Sequence, residues 1–160
     1  MTEPQIVLVQ DTREQNGYGP LFQTPHVVGT LGAGDYSVLG LEDLIAIERK
    51  SFQDLLGSLT GGRERFESEM KRARHFHKSF VVVEAPMNAL LVDDFGKLSR
   101  AHPRSIWGTV CTWNTRYHPF IFGNDRATAA RLCEGILLAY AKEFFKRADG
   151  MQRAATRNQG

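Results

Sequence analysis

Two acidic residues and a lysine in the first third of the chain have the types and spacing of a site that cuts phosphodiester bonds. Asp35 follows a glycine-rich turn, and twelve residues separate it from Glu48, which ends an apolar run. Carboxylates from neighbouring strands suit Mg²⁺ or Mn²⁺, which bind few protein ligands and keep several waters for substrate. Lys50 lies two residues beyond Glu48, so on an extended strand both side chains point to one face. This geometry places a lysine beside the attacking water.

The same residues also have a structural interpretation, in which the charges form a solvated strand end and Asp54 caps the following helix. Arg49 points to the opposite face unless the strand ends there, as the helical pattern after it indicates. However, apolar residues 44–47 lead directly into Glu48, Arg49 and Lys50. Charges at the tip of a buried strand are costly unless they meet partners or a metal ion. The apolar run therefore favours the functional interpretation.

The elements that must position these residues are predicted from apolar periodicity and from Gly, Pro and Asp at the boundaries. Predicted strands are residues 6–9, 26–31, 36–39, 44–47, 80–84 and 119–122, the third and fourth forming a hairpin. Helices are predicted to begin at Ser51 and to span residues 63–77, 105–116 and 127–147. Strands with interposed helices predict an α/β sandwich around a mixed sheet.

Composition and charge narrow the class of protein. The 160 residues are 42% hydrophobic, which suits one domain, expected at residues 1–148, followed by a polar and disordered tail at 149–160. No run approaches a membrane span and no secretory signal is present, so an intracellular location is expected, cytoplasmic in bacteria or phage-infected cells and nuclear in eukaryotes. The net charge is only +2, but residues 49–78 carry eight basic and four acidic side chains. This stretch is expected to hold a DNA backbone through Arg63, Arg65 and Arg72.

The last predicted helix has a broad apolar stripe. Leu132, Ile136, Tyr140 and Phe144 form one row, with Leu137 and Phe145 among the residues beside it. Such a stripe is wider than one sheet face usually covers, and uncovered apolar surface commonly marks a partner site. A homodimer through this helix is therefore expected, with burial inside the monomer as the alternative.

Several separate segments resemble the GDxnERKxxxD motif set of the XPF nuclease family, which includes the archaeal Hef nucleases. Gly34–Tyr36 and Ile47–Leu55 resemble its central motif, and Asp11–Glu14 resembles its upstream D-x-R-E element. Gly62–Phe66 resembles its arginine motif, and Val81–Glu84 its next core strand. A signature in several parts, in the right order, is highly specific. Because no helix-hairpin-helix module follows, the resemblance is to the compact single-domain members of bacteria and phages.

The resemblance implies a restriction-endonuclease-like fold, Mg²⁺ or Mn²⁺ dependence, and cleavage of duplex DNA near flaps, forks or other branches, as in DNA repair or recombination. The implied metal ligands are Asp35 and Glu48, with Glu14 or Asp11 and the main-chain carbonyl of Arg49.

The remaining roles also follow from the resemblance. Lys50 would orient or activate the water, Arg49 and Arg13 would hold the scissile phosphate, and Asp54 would hold Arg49, Lys50 or a metal-bound water in place. The alternatives are a non-catalytic DNA-binding subunit of the same fold and a restriction-type nuclease that reads a short sequence. Members that have lost catalysis lose the ERK residues, all of which are present here.

Overall fold

The structure is a computed structural model that describes residues 4–157. The strands are β1 (Leu8–Asp11), β2 (His26–Gly29), β3 (Tyr36–Val38), β4 (Ile45–Ser51), β5 (Lys78–Glu84) and β6 (Phe120–Phe122). The helices are α1 (Phe52–Ser58), α2 (Arg63–Ala73), α3 (Pro103–Arg116) and α4 (Arg126–Arg157). Short 3₁₀ turns at Gly19–Leu21, Met87–Leu90 and Gly96–Leu98 lie in the connecting loops.

The strands form one mixed sheet in the order β2-β1-β3-β4-β5-β6. β1 and β2 are parallel, β3 is antiparallel to both of its neighbours, and β4, β5 and β6 are parallel to one another. The predicted α/β class, mixed sheet and hairpin of β3 with β4 are confirmed. Because parallel strands end at the same edge of a sheet, the charged end of β4 lies beside the end of β5.

Helices cover both faces of the sheet, and the side chains of β5 alternate between them. Val81 and Val83 pack with α1, α2 and α3 in one core, whose largest buried side chain is Trp113. Val82 packs in a second core with α4, which presents Cys133 among other small residues. This alternation is the period-two pattern of a strand buried on both faces.

Local sequence explains how the chain enters and leaves β4. Gly34 has a φ of +73°, and a Cβ at this position would lie 3.0 Å from the Ile47 carbonyl oxygen, so glycine permits this close approach. At the other end, the Ser51 side chain accepts a hydrogen bond from the Asp54 main-chain nitrogen, as predicted for an N-cap. The charged residues therefore lie between a glycine turn and a helix cap.

Three predicted boundaries differ from the structure. β1 lies two residues later than expected, because Asp11 pairs with Gly29 and its carboxylate is buried within the turn that follows. α2 ends at Ala73 and not at residue 77, because the chain must turn before Lys78 donates a hydrogen bond to the Leu44 carbonyl.

The third difference is in α4, which continues to Arg157 where the sequence predicts an end at residue 147 and a polar, disordered tail from 149. Residues 151–157 are helical but exposed, and Ala, Arg, Gln and Met are good helix formers that need no apolar face. Residues 158–160 of the predicted tail lie outside the described residues, and the domain boundary at residue 148 stays a prediction.

The apolar stripe of α4 is half-buried. Ile136, Tyr140 and Phe144 pack beside the second core, and the fully buried row is one position away, at Cys133, Leu137 and other residues. The sheet therefore covers more of the helix than the sequence predicts. Among residues 4–157, no helix is both long and apolar enough to cross a membrane.

Candidate active site

Asp35 and Glu48 meet at the edge of the sheet because the backbone on both sides of Glu48 is bound to Asp35. The Asp35 main-chain nitrogen donates to the Ile47 carbonyl at 2.8 Å, and Asp35 Oδ2 accepts from the Arg49 main-chain nitrogen at 2.7 Å. Both carboxylates line the same cleft, which has a volume of about 870 Å³. The two acids singled out from the sequence are thus brought together by main-chain hydrogen bonds.

Glu48 and Lys50 point to the same face, as the two-residue spacing predicts. Lys50 Nζ lies 3.0 Å from Glu48 Oε1 and 4.4 Å from the centre of the Phe66 ring. The lysine side chain is largely buried. Its ammonium group is therefore held between a carboxylate and an aromatic face, and it has little freedom to move.

The electrostatics of the acidic pair favour a bound cation. Burial raises the pKa of the Asp35 carboxyl, and the charge on Glu48 raises it further, against the opposing effect of the Arg49 main-chain donor. Burial also raises the pKa of Glu48, although Lys50 opposes this shift. Two buried carboxylates that repel each other are stabilised when a positive charge lies between them.

Basic side chains of α2 and of the loop after β1 border the same cleft. Arg65 and Arg72 line it from α2, and Arg13 lines it from the opposite side. Arg13 is 69% exposed and feels the charges of Asp35 and Glu48. Its guanidinium is anchored, so this cation is held at the entrance to the acidic site.

The anchor of Arg13 is Asp11, which is 1% exposed. Asp11 Oδ1 accepts from the main-chain nitrogen and Nε of Arg13, and Oδ2 accepts from Nη2 of Arg13 and the Leu31 main-chain nitrogen. Burial would raise the pKa of Asp11, but these hydrogen bonds lower it overall. With both oxygens engaged, Asp11 positions Arg13, and the geometry disfavours the predicted alternative that it binds metal.

Arg49 points to the opposite face of the sheet from Glu48 and does not line the cleft. Its Nε lies 2.7 Å from Glu84 Oε1, and its Nη1 lies 3.4 Å from Glu14 Oε1. Burial alone would lower the pKa of Arg49, but the hydrogen bond to Glu84 and the two acidic charges raise it. The guanidinium expected to hold a phosphate is therefore held by two carboxylates of the protein.

Glu84 connects Arg49 to the start of α4. Its Oε1 also accepts from Arg126 Nη1 at 3.2 Å, and Arg126 Nη2 donates to the Gly17 carbonyl at 2.9 Å. Both guanidiniums lie over the Tyr18 ring, at 5.6 Å for Arg49 and 5.2 Å for Arg126. One carboxylate thus joins β4, β5, α4 and the loop after β1.

The structure does not bring two of the predicted site residues into the cleft. Asp54 is exposed, and its Oδ2 accepts from Ser51 Oγ at 2.7 Å, so it caps α1 and makes no hydrogen bond to Arg49 or Lys50. Arg63 donates to Thr109 Oγ1 at 3.0 Å and lies over the Trp113 ring, so it joins α2 to α3. Neither residue lines the cleft that contains Asp35 and Glu48.

The sequence interpretation missed Glu84 and Arg126 as parts of the site. A signal was present for Glu84, since an acid at the end of a buried strand parallel to β4 must lie beside the end of β4. Arg126 carried no such signal, because it reaches Glu84 only through the packing of α4 on the sheet.

The residues fit a divalent cation with few protein ligands. Within residues 4–157, no group of three or more His, Cys, Asp or Glu side chains is arranged to hold a metal. Asp35 and Glu48 supply two hard oxygen donors, and Glu14 is engaged by Arg49 at the edge of the site. Mg²⁺ is commonly bound by one or two carboxylates and keeps several waters, so this donor set suits it.

Comparisons with known proteins agree with this geometry. A family model described as the ERCC4 domain matches residues 10–134. Two solved structures of XPF from Aeropyrum pernix have similar folds. The first has a TM-score of 0.65 and 23% identity, and the match covers 82% of this chain and 65% of that one. The second, in complex with DNA, has a TM-score of 0.67 and 23% identity, covering 86% of this chain and 66% of that one.

The chain therefore spans slightly less than two thirds of each XPF chain, and at this identity the likeness establishes the fold. None of the curated proteins compared matches the chain.

Proposed function

We propose that this chain, which belongs to the ERCC4 domain family, is a divalent-metal-dependent endonuclease that hydrolyses phosphodiester bonds in DNA. The observation that carries the proposal is the pair of buried carboxylates, Asp35 and Glu48, with the Lys50 ammonium 3.0 Å from Glu48. Carboxylates, a fixed lysine and bordering arginines in one cleft are the groups that hydrolysis of an anionic diester requires.

Asp35 and Glu48 would hold the metal, and Mg²⁺ or Mn²⁺ suits two hard oxygen donors. When bound, the ion would stabilise negative charge on the phosphate and lower the pKa of water. Lys50 keeps its proton at Nζ beside Glu48 and orients the attacking water by donating a hydrogen bond. The main-chain donor of Arg49 holds Asp35 Oδ2 in place.

Arg13 and Arg65 are the cations that reach the cleft, and we assign them the scissile phosphate and its neighbours. Arg13 is preorganised because Asp11 fixes its guanidinium by two hydrogen bonds. Arg49 holds the edge of the site together through Glu84 and Glu14, a different role from the phosphate contact expected from the sequence.

The proposed substrate is branched duplex DNA with a flap or fork. This finer assignment is supported by the family and by the open cleft, which Arg65 and Arg72 border on α2. Incubation with labelled flap, fork, nicked and linear DNA should give cleavage of the branched substrates with Mg²⁺ or Mn²⁺ and none with EDTA. Binding without cleavage under every metal condition would instead identify a DNA-binding subunit. Equal cleavage of linear DNA would contradict the selectivity.

We also propose that the active form is a homodimer through α4. The half-buried row of Ile136, Tyr140 and Phe144 leaves apolar surface beside the second core, and a two-fold pair would cover it. Light scattering at tens of micromolar, roughly the upper range for a useful dimer, should give twice the 18.0 kDa mass of the chain. A monomer at that concentration would contradict the dimer and assign the row to the monomer core.

A further inference from the structure

A second cavity lies at the opposite end of β5 from the acidic site, where the amino-terminal ends of β5 and β6 meet the carboxyl ends of α2 and α3. Its volume is about 380 Å³. Arg74, Lys78 and Arg116 line it together with the aromatic rings of Phe76 and Tyr117, and none of its lining residues is acidic. We call this feature the basic cavity.

The three cations of the basic cavity are exposed and available to a ligand. Among residues 4–157, Arg74, Lys78 and Arg116 make no ion pair with an acidic side chain. The nearby acid Glu67 accepts a hydrogen bond from the Tyr117 hydroxyl at 2.5 Å. Three cations of one sign around a concave surface concentrate positive potential, which attracts anions.

The basic cavity is continuous with the catalytic cleft. Ser79 and Phe80 line both. In the sheet, Val81 pairs with Glu48, and Lys78 lies three residues before Val81. This separation is about 10 Å along the strand. A nucleic acid strand advances about 3.4 Å per nucleotide, so a strand that leaves the acidic site reaches the basic cavity within a few nucleotides.

We propose that the basic cavity binds a single-stranded arm of the DNA substrate. Phosphates would contact Arg74, Lys78 and Arg116, and a base would lie against the ring of Phe76 or Tyr117. Cations interleaved with aromatic rings are typical of single-strand binding, since every base has a face that stacks. Duplex bases are already stacked and would leave the rings unused. This inference rests on the proposed function, whose substrate class it makes specific.

Fluorescence anisotropy in EDTA tests the proposal without cleavage. The full chain carrying Lys78→Ala and Arg116→Ala should bind a fork with single-stranded arms about tenfold more weakly, and a blunt duplex less than about twofold more weakly. The salt dependence of fork binding should fall by about 0.7 per lost contact. The matched control is Arg100→Ala with Arg131→Ala, two exposed arginines that line neither cavity.

A second variant separates stacking from charge. Phe76→Leu keeps an apolar side chain but removes the aromatic face, so it should weaken fork binding severalfold and leave the salt dependence unchanged. Arg116 also stabilises the carboxyl end of α3, so the thermal midpoint is measured for every variant. A lower midpoint with unchanged fork affinity would show that the cations are only structural.

Unchanged fork binding by the double variant overturns the inference, as does an equal loss with the blunt duplex. Neither result bears on catalysis, because binding is measured without metal. Loss of cleavage in a variant of the acidic pair, with the double variant binding forks normally, would leave the proposed function standing and remove the basic cavity from it.

Discussion

Replacing Glu48 with Gln is expected to reduce the rate of DNA cleavage by about 10³-fold while the fold survives. Gln keeps the shape of the side chain but removes the negative charge beside Asp35 and Lys50. A 10³-fold loss corresponds to about 4 kcal/mol of transition-state stabilisation. Single-turnover cleavage measures the rate, and circular dichroism checks the fold. The control is Glu143→Gln, an exposed acid of α4, which should cleave at the original rate.

A readout without turnover shows whether the loss arises at the metal. Glu48→Gln should weaken Mg²⁺ or Mn²⁺ binding in calorimetry, because it removes one of two anionic ligands. Lys50→Ala should keep DNA affinity and metal binding within a few-fold and lower turnover, since it removes the group that orients the water. Undiminished cleavage by Glu48→Gln would contradict the site assignment.

Much of the fold could be predicted because its strands carry their own boundaries. The three consecutive valines of β5 and the apolar start of β4 are buried on both faces, a local pattern that needs no knowledge of the partners. The hairpin of β3 and β4 is marked by Gly40, whose φ is +84°. The length of α4 could not be read from apolar periodicity, because residues 151–157 have no buried face.

The candidate site divides in the same way. Glu48 and Lys50 share a face because strand periodicity is local, so their relation follows from the sequence. The contacts of Arg49 with Glu84, and of Arg63 with Thr109, join residues that are far apart in sequence. Such contacts depend on how helices and strands pack, which residue type and spacing do not determine. The individual roles assigned to these charged residues stay predictions.

Replacing Glu84 with Gln is expected to lower both stability and turnover. The change removes the negative charge shared by Arg49 and Arg126, which then face each other across the Tyr18 ring. Removing one partner of a buried pair costs about 3–5 kcal/mol. Because Arg126 is partly exposed, we expect a loss of about 2–3 kcal/mol in the free energy of unfolding. Urea unfolding measures this change.

The effect on turnover distinguishes positioning from stability alone. The Arg49 main chain holds Asp35 Oδ2, so a displaced Arg49 moves a proposed metal ligand. We expect kcat to fall by about tenfold, and KM for DNA to stay within about twofold, because Arg49 does not line the cleft.

A matched control is available at the other buried glutamate that holds elements together. Glu134 is 8% exposed, and its Oε1 accepts from the main-chain nitrogens of Gln23 and Thr24, so it anchors a loop to α4 away from Arg49. Glu134→Gln should also lower the free energy of unfolding but leave kcat unchanged, measured well below the midpoint of unfolding of both variants. Equal kcat for the two variants would show that Glu84 serves the fold alone. A lower kcat and weaker metal binding in Glu84→Gln only would place the site's support on three strands and α4, through one carboxylate that never touches the substrate.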